Sequence, residues 1–254
     1  MKRRGTELAS CPCLPTPWEA SSPQGGKGKK ATPSPYATPH HGWPERVDEA
    51  RAIQEALRRR VVTRDRLGRV RRVAGVDAAY ERRSGRICAA VAVLALPELA
   101  LVERVVVRRK TRFPYLPGYL SFREAPAVLA ALEKLRSRPD LLLCDGQGYA
   151  HPRRFGLACH LGLLADLPSI GVAKSRLIGT HAGVPEEKGS WAPLVQEGER
   201  IGAVLRTRVG VRPVYVSIGH RISLETAIDR VIACTSSYRL PEPIRQAHRL
   251  ASTS

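Results

Sequence analysis

From Val47 to Val62 the apolar residues Ile53, Ala56, Leu57 and Val61 recur among charged ones at helical spacing, which predicts a helix there. Three strand-like runs follow, Val70 to Tyr80, Ile87 to Leu96 and Leu101 to Arg109, separated by Ser84-Gly85 and Pro97-Glu98. Three short strands joined by tight turns predict an antiparallel meander. A second helix is expected over Ser121 to Arg136, where Phe122, Ala125, Val128, Leu129, Leu132 and Leu135 share one face. Then come a buried strand Leu141 to Cys144, a helix Phe155 to Ala165 and another buried strand, Ser169 to Ala173. Residues 175–200 read as a loop, followed by strands Ile201 to Arg206 and Val214 to Ile218 and a helix from Ser223 to about Ala233. The order β-β-β-α-β-α-β is that of an α/β protein with a mixed sheet flanked by helices. There is no internal repeat.

Charge narrows the class of partner. The 254 residues carry 42 Lys+Arg against 23 Asp+Glu, a formal charge of +19, so a phosphate-rich partner is expected. A hydrophobic fraction of 43% supports a packed core and excludes wholesale disorder. Residues 1–46 stand apart: they hold eight of the 20 prolines and the run Gly25 to Lys30, with almost no branched aliphatics. Such a segment cannot bury enough apolar surface to offset its ordering entropy, and a disordered extension is expected. Its seven basic and three acidic residues give it only +4, which leaves +15 on residues 47–254, the expected folded domain.

Six Cys residues are scattered without a CxxC pair or a zinc-like spacing to His, which argues against a disulfide scaffold and a zinc finger. Cys11-Pro12-Cys13 and His40-His41 fall in the extension and read as part of a loose tail. The first 40 residues hold no apolar run of the length a signal peptide needs, and nothing downstream reaches 18 uninterrupted apolar residues, so a cytoplasmic protein without a membrane partner is expected.

The chemistry lies in three carboxylates. Asp77 interrupts the apolar strand Val73 to Tyr80, a costly place for a charge unless it is paired or holds a metal. Asp145 ends Leu141 to Cys144 and precedes Gly146-Gln147-Gly148, at the carboxyl end of a buried strand where open α/β sheets place their sites. Each also has a plainer reading, a satisfied core acid for Asp77 and a turn-starting Asp for Asp145. Glu124 completes Ser121-Phe122-Arg123-Glu124, which matches a helix capping box. Three carboxylates at one sheet edge would repel one another unless divalent cations lay between them, and hard oxygen ligands suit Mg²⁺ or Mn²⁺. Such ions activate water and stabilise charge during phosphodiester cleavage. Rival constellations fail: Gly146-Gln147-Gly148 lacks the last glycine of the dinucleotide fingerprint, and there is neither a GxxxxGK[ST] run nor a GxSxG elbow.

Three blocks lie in register. They are Val73 to Tyr80, Phe113 to Glu124, and Leu143 to His160 with its continuation Ile170 to Leu177. Together they resemble the endonuclease V family, over about Val47 to Leu250. The resemblance implies an RNase H-like fold and action on deoxyinosine in DNA. It makes Asp77, Asp145 and Glu124 the metal-binding acids, so the capping reading of Glu124 yields. His248, in Arg245 to Leu250, matches the family's carboxyl-end His and would position the attacking water, bind metal or relay a proton. Pro114-Tyr115-Leu116-Pro117 is similar to the family's wedge, with prolines that fix the turn beside an aromatic ring that replaces lost stacking. Without the resemblance, a turn packed on the core is as good a reading. Backbone groups around Gly118 to Leu120 and Gly146 to Gly148 would read the flipped base, because glycine permits close approach. Lys174 matches a family lysine near the scissile phosphate, and His151 lies close to Asp145 in sequence. Arg153, Arg154, Arg176 and Arg108-Arg109-Lys110 are candidate phosphate contacts. The chain departs from the compact family form in its extension, for which a nucleic-acid tether, a partner segment and a misassigned start are all open, and in Ala78-Ala79, where larger residues are usual.

The implied activity is a Mg²⁺-dependent deoxyinosine 3′ endonuclease, with Mn²⁺ a possible substitute. It would cut the lesion strand at the second phosphodiester 3′ to the deoxyinosine by metal-activated water attack, leaving 3′-hydroxyl and 5′-phosphate. A monomer bound to DNA is the default. Two alternatives stay open: an endoribonuclease for inosine-containing RNA, and a catalytically silent nucleic-acid-binding module on the same frame.

Overall fold

A computed structural model describes residues 41–252. Its elements are α1 (Val47–Leu57), β1 (Arg72–Glu81), β2 (Arg86–Ala95), β3 (Ala100–Lys110), α2 (Leu120–Leu132), β4 (Leu141–Asp145), α3 (Leu157–Ala165), β5 (Ser169–Ala173), β6 (Trp191–Gln196), β7 (Glu199–Leu205), β8 (Val214–His220), α4 (Leu224–Ala233) and α5 (Glu242–Ser252). The strands form one mixed sheet in the order β3-β2-β1-β4-β5-β8-β7-β6. The antiparallel β1-β2-β3 meander is present, and β1, β4 and β5 are mutually parallel. This is the expected α/β mixed sheet.

Alternation along β1 and β4 sorts side chains between two cores. Ala74, Val76, Leu142 and Cys144 face α2 and α3. Val73, Leu141 and Leu143 face Ile244 of α5 and Leu224, Ala227 and Ile228 of α4. The helix α5 buries Pro243, Ile244, Ala247 and Ala251 against the sheet, an i, i+4 stripe that follows from helical period. It lies so close that a Cβ on Gly75 would sit 2.0 Å from the Pro243 carbonyl carbon.

Three local differences from the sequence pattern have clear causes. The strand β6 lies within the stretch expected to be a loop. It is an edge strand containing Pro193, and an edge is where a strand can tolerate proline. The helix α2 stops at Leu132 because the carboxylate of Glu103 on β3 accepts from the amides of Arg136 and Ser137, at 3.0 and 2.8 Å, and turns the chain away. The capping box is absent: α2 begins at Leu120 with Tyr119 at the N-cap position and no side-chain cap. Ser121 and Glu124 are thus inside the helix.

Of the extension expected over 1–46, residues 1–40, with Cys11, Cys13 and His40, lie outside the described residues. Residues 41–46 pack on the domain. Trp43 contacts the α2 side of the core, Pro44 is buried, and His41 Nε2 lies 2.9 Å from His160 Nε2. His160 is wholly buried among the rings of Phe122 and Phe155, and burial, with a smaller contribution from His41, pushes its pKa down to about 3. An unfolded His titrates near 6.5, so between these values the unfolded chain binds the extra proton. Stability from the buried neutral ring is complete above pH 6.5 and lost as pH falls. The wild type is expected to lose up to about 1.4 kcal/mol per pH unit more than His160→Leu between pH 6.5 and 4.5. Urea unfolding at several pH values checks this; parallel curves would refute it.

Candidate active site

The parallel ladder of β1 and β4 pairs Val73 to Val76 with Leu141 to Cys144 and ends there. Asp77 and Asp145 are the next residue on each strand. They therefore stand side by side, about 4.8 Å apart at the backbone, on the α5 face where the strands part. The two acids do open onto one edge. From α5, His248 brings Nδ1 to 2.6 Å from Asp77 Oδ2, while Asp77 Oδ1 accepts from the Ala78 amide at 2.8 Å. Ligand atoms of Asp77, Asp145 and His248 all lie within 4.8 Å of one another.

Lys174, just past the end of β5, places Nζ 2.5 Å from Asp145 Oδ2. The contact is a close ion pair that holds the ammonium against the carboxylate. Burial, and then the charge of Asp77, raise the Asp145 pKa, against the opposing pull of Lys174. Glu124 reaches the same edge from α2, on the opposite face of the sheet, and is outside the close group. Its pKa is raised well above the ordinary value by burial first and by the charges of Asp77 and Asp145 next. An edge that gathers three carboxylates, two of them driven toward protonation by burial and by one another, fits a divalent cation, whose charge would reverse those shifts. Two carboxylates and an imidazole are acceptable ligands for Mn²⁺, and the carboxylates for Mg²⁺.

Beside the acids lies a cavity of about 210 Å³, lined by Tyr115, Leu116, Pro117, Gly118, Leu120, Ser121, Gln147, His151, Ser175 and Arg176 among others. At roughly 30 Å³ per water molecule it has room for a planar heterocycle. Three segments serve both features: Gln147 follows Asp145 by two residues, Ser175 follows Lys174, and Leu120-Ser121 open the helix that carries Glu124. At the mouth, Tyr115 is 70% exposed, which rules out the reading of Pro114 to Pro117 as a turn packed on the core.

The turn is held from behind. Gly118, at φ +79°, directs its carbonyl to three donors: Arg153 Nη2 at 2.7 Å, His151 Nε2 at 2.9 Å and Gln54 Nε2 at 3.1 Å. Gln54 Oε1 accepts from Arg153 Nε at 2.5 Å, and Gln54 Nε2 also donates to the Phe155 carbonyl. His151 Nδ1 accepts from the Arg153 amide, so the ring is neutral with its proton on Nε2. Burial, then Arg153, lowers its pKa to about 4. Arg153, a candidate phosphate contact in the sequence, is thus committed inside the protein and stacks on Tyr119. Arg154 pairs with Glu199 at 2.7 Å. Gly146 and Gly148 do not line the cavity among the described residues, and Gly148 donates to Ser217 Oγ and accepts from the Gly156 amide.

Gln54 is not legible in the sequence as a site residue. Its only signal there is a polar residue at a buried position of a helix next to Ile53 and Leu57. Removing a buried amide strands its partners, at about 1–3 kcal/mol. Gln54→Ala is expected to lower Tm and to loosen the turn, raising KM for a lesion-bearing duplex while unfolding stays cooperative. An unchanged KM would show that the turn holds without the clamp.

The sequence profile described as Endonuclease V matches residues 55–249. The chain is 60% identical over 212 residues to the Endonuclease V of Roseiflexus castenholzii, covering 84% of this chain and 95% of that protein. Among solved structures, Endonuclease V from Streptomyces avermitilis superposes with a TM-score of 0.80 at 45% identity, covering 84% of this chain and 94% of that one. Endonuclease V from Ciona intestinalis superposes with a TM-score of 0.72 at 29% identity, covering 83% and 98%, and was solved with a 24mer DNA containing an inosine followed by a ribo-adenosine.

Proposed function

On the premise that this chain belongs to the endonuclease V family of nucleases, we propose that it cuts DNA at deoxyinosine. It nicks the lesion strand at the second phosphodiester on the 3′ side and leaves 3′-hydroxyl and 5′-phosphate ends. The observation that carries this reading is that cavity-lining Gln147, Ser175 and Leu120-Ser121 stand one to four residues along the chain from Asp145, Lys174 and Glu124, which places a base-sized recess next to the acidic edge. The inosine-bearing DNA bound by the Ciona relative supports it.

Asp77 and Asp145 would hold a Mg²⁺ or Mn²⁺ ion, with Glu124 as the third acid. When bound, the ion lowers the pKa of water and offsets charge building on phosphorus. Tyr115, stiffened by Pro114 and Pro117, fills the stack vacated by the flipped base, a loss that costs least at a damaged or mismatched pair. The base enters the recess between Leu116, Gly118 and Leu120 on one side and Gln147 and His151 on the other. Lys174 sets its ammonium beside Asp145, where a non-bridging phosphate oxygen would lie. With Nδ1 tied to Asp77, the second nitrogen of His248 orients the attacking water or relays its proton. The enzyme works as a monomer on duplex DNA. No helix among the described residues is long and apolar enough to cross a membrane.

A second reading, cleavage of inosine-containing RNA, is favoured by the ribo-adenosine after the inosine in the Ciona complex. The deciding test is a labelled duplex with one deoxyinosine, in Mg²⁺ and in EDTA, beside an undamaged duplex and an inosine-RNA version. A Mg²⁺-dependent single cut in the DNA is expected. Stronger cleavage of RNA would make RNA the substrate, and binding without cutting of either would make the protein a silent module.

A further inference from the structure

Asp77 lies midway along β1, where the ladder to β4 ends, and a cluster of cations lies farther along the same strand and its neighbours. The β1–β2 turn carries Arg82 and Arg83, and β2 opens with Arg86. The adjacent end of β3 carries Arg108, Arg109 and Lys110. The register sets Arg86 directly opposite Lys110 and Ile87 opposite Arg109. Like charges facing each other across a sheet are destabilising. Folding therefore gives no reason for this pairing.

The one acid in the turn is already committed. Glu81 accepts from Arg108 Nε at 2.8 Å and from Ser84 Oγ at 2.7 Å. Arg109 donates to the Pro126 carbonyl and Arg112 pairs with Glu45. Arg82, Arg83, Arg86 and Lys110 are exposed and have no carboxylate within ion-pair distance among the described residues. The cluster is also rigidly joined to the site. Only three residues separate Lys110 from Pro114, and the last of them, Phe113, is 3% exposed and packed on Phe122. At about 3.3 Å per residue, the turn stands roughly 15 Å beyond Asp77.

We propose that the β1–β2 turn and the end of β3 form a second contact surface, a cationic shelf that binds phosphates of the DNA duplex flanking the site, about four to five base steps from the bond that is cut. Phosphates recur at about 3.4 Å per step along each strand, which sets that count. The inference rests on the reading of the acidic edge as a DNA-cutting site. The shelf is blind to sequence and lesion, because it meets only the backbone. It supplies affinity and fixes the direction in which the duplex crosses the edge.

The test is the triple variant Arg82→Gln, Arg83→Gln, Arg86→Gln, compared with the wild type over a salt series on long deoxyinosine and undamaged duplexes. The slope of log Kd against log salt should fall by about 0.9 for each phosphate that the shelf no longer neutralises, equally on both duplexes. KM for nicking the long duplex should rise at least about tenfold at 0.15 M salt with kcat unchanged. A duplex ending three base pairs from the lesion on each side should not distinguish the two proteins. Unchanged slopes on both long duplexes would overturn the shelf. Because undamaged DNA reports on the shelf by itself, a wild type that fails to cut deoxyinosine would refute the proposed function without deciding the shelf, which the slopes still decide.

Discussion

Asp145→Ala is expected to lower deoxyinosine nicking by at least about 10³-fold while binding of the lesion duplex is retained. The carboxylate is one of the three groups whose ligand atoms lie within 4.8 Å of one another, and loss of a cation's stabilisation of phosphoryl charge, at about 4 kcal/mol, is a thousandfold in rate. Binding should survive because the carboxylate is itself repulsive to phosphate. Its removal also frees Lys174, 2.5 Å away, to meet the DNA. Stability should not fall. The native pKa of Asp145 is raised by burial and by Asp77, so its charged form burdens the fold at neutral pH. Single-turnover nicking, filter binding and thermal melting measure the three expectations. Retained Mg²⁺-dependent nicking would remove Asp145 from the site, and a large drop in Tm would mean that the carboxylate is structural.

The second large effect is expected at a residue with no side chain. Gly75→Ala would place a methyl group 2.0 Å from the carbonyl carbon and oxygen of Pro243, where backbone cannot yield as a flexible side chain can. The helix α5 must retreat, and overpacking of this kind costs about 1–3 kcal/mol, or roughly 3–10 °C in Tm for a domain of this size. His248 rides on α5, so its 2.6 Å contact with Asp77 should open, and a shift of about 1 Å in a catalytic group costs about 100-fold. Gly68→Ala is the control, since a Cβ there meets nothing within 4 Å. Nicking at the wild-type rate by a folded Gly75→Ala would show that α5 does not position the chemistry.

Asp77 and Asp145 are readable as a pair because one interrupts and the other ends an apolar run that reads as a buried strand. The exposed turn around Tyr115 is readable from Pro114 and Pro117, which restrict the backbone on both sides of it. Gln54, by contrast, holds the Gly118 carbonyl from 64 residues away, and nothing in the helix around it announces a partner. Glu124 misleads as a cap, and it comes near enough to Asp77 and Asp145 for their charges to raise its pKa. The capping box depends on where the helix starts, and packing of Phe122 and Phe113 moves that start to Leu120. The strand β6 is hidden by Pro193, a residue that only an edge position accommodates.

The sequence by itself determined the order of most elements, the basic character of the domain and the acids that are candidates for the chemistry, because hydrophobic period and residue type report on neighbours a few positions away. The tertiary structure alone decided which of those acids meet. Parallel register at Val76 and Cys144 sets Asp77 beside Asp145, and α5 delivers His248 across 171 residues of chain. Glu124 comes from the helix layer on the other face. Register and layer assignment arise from burying two opposite faces of one sheet at once, a global packing condition that no local pattern encodes.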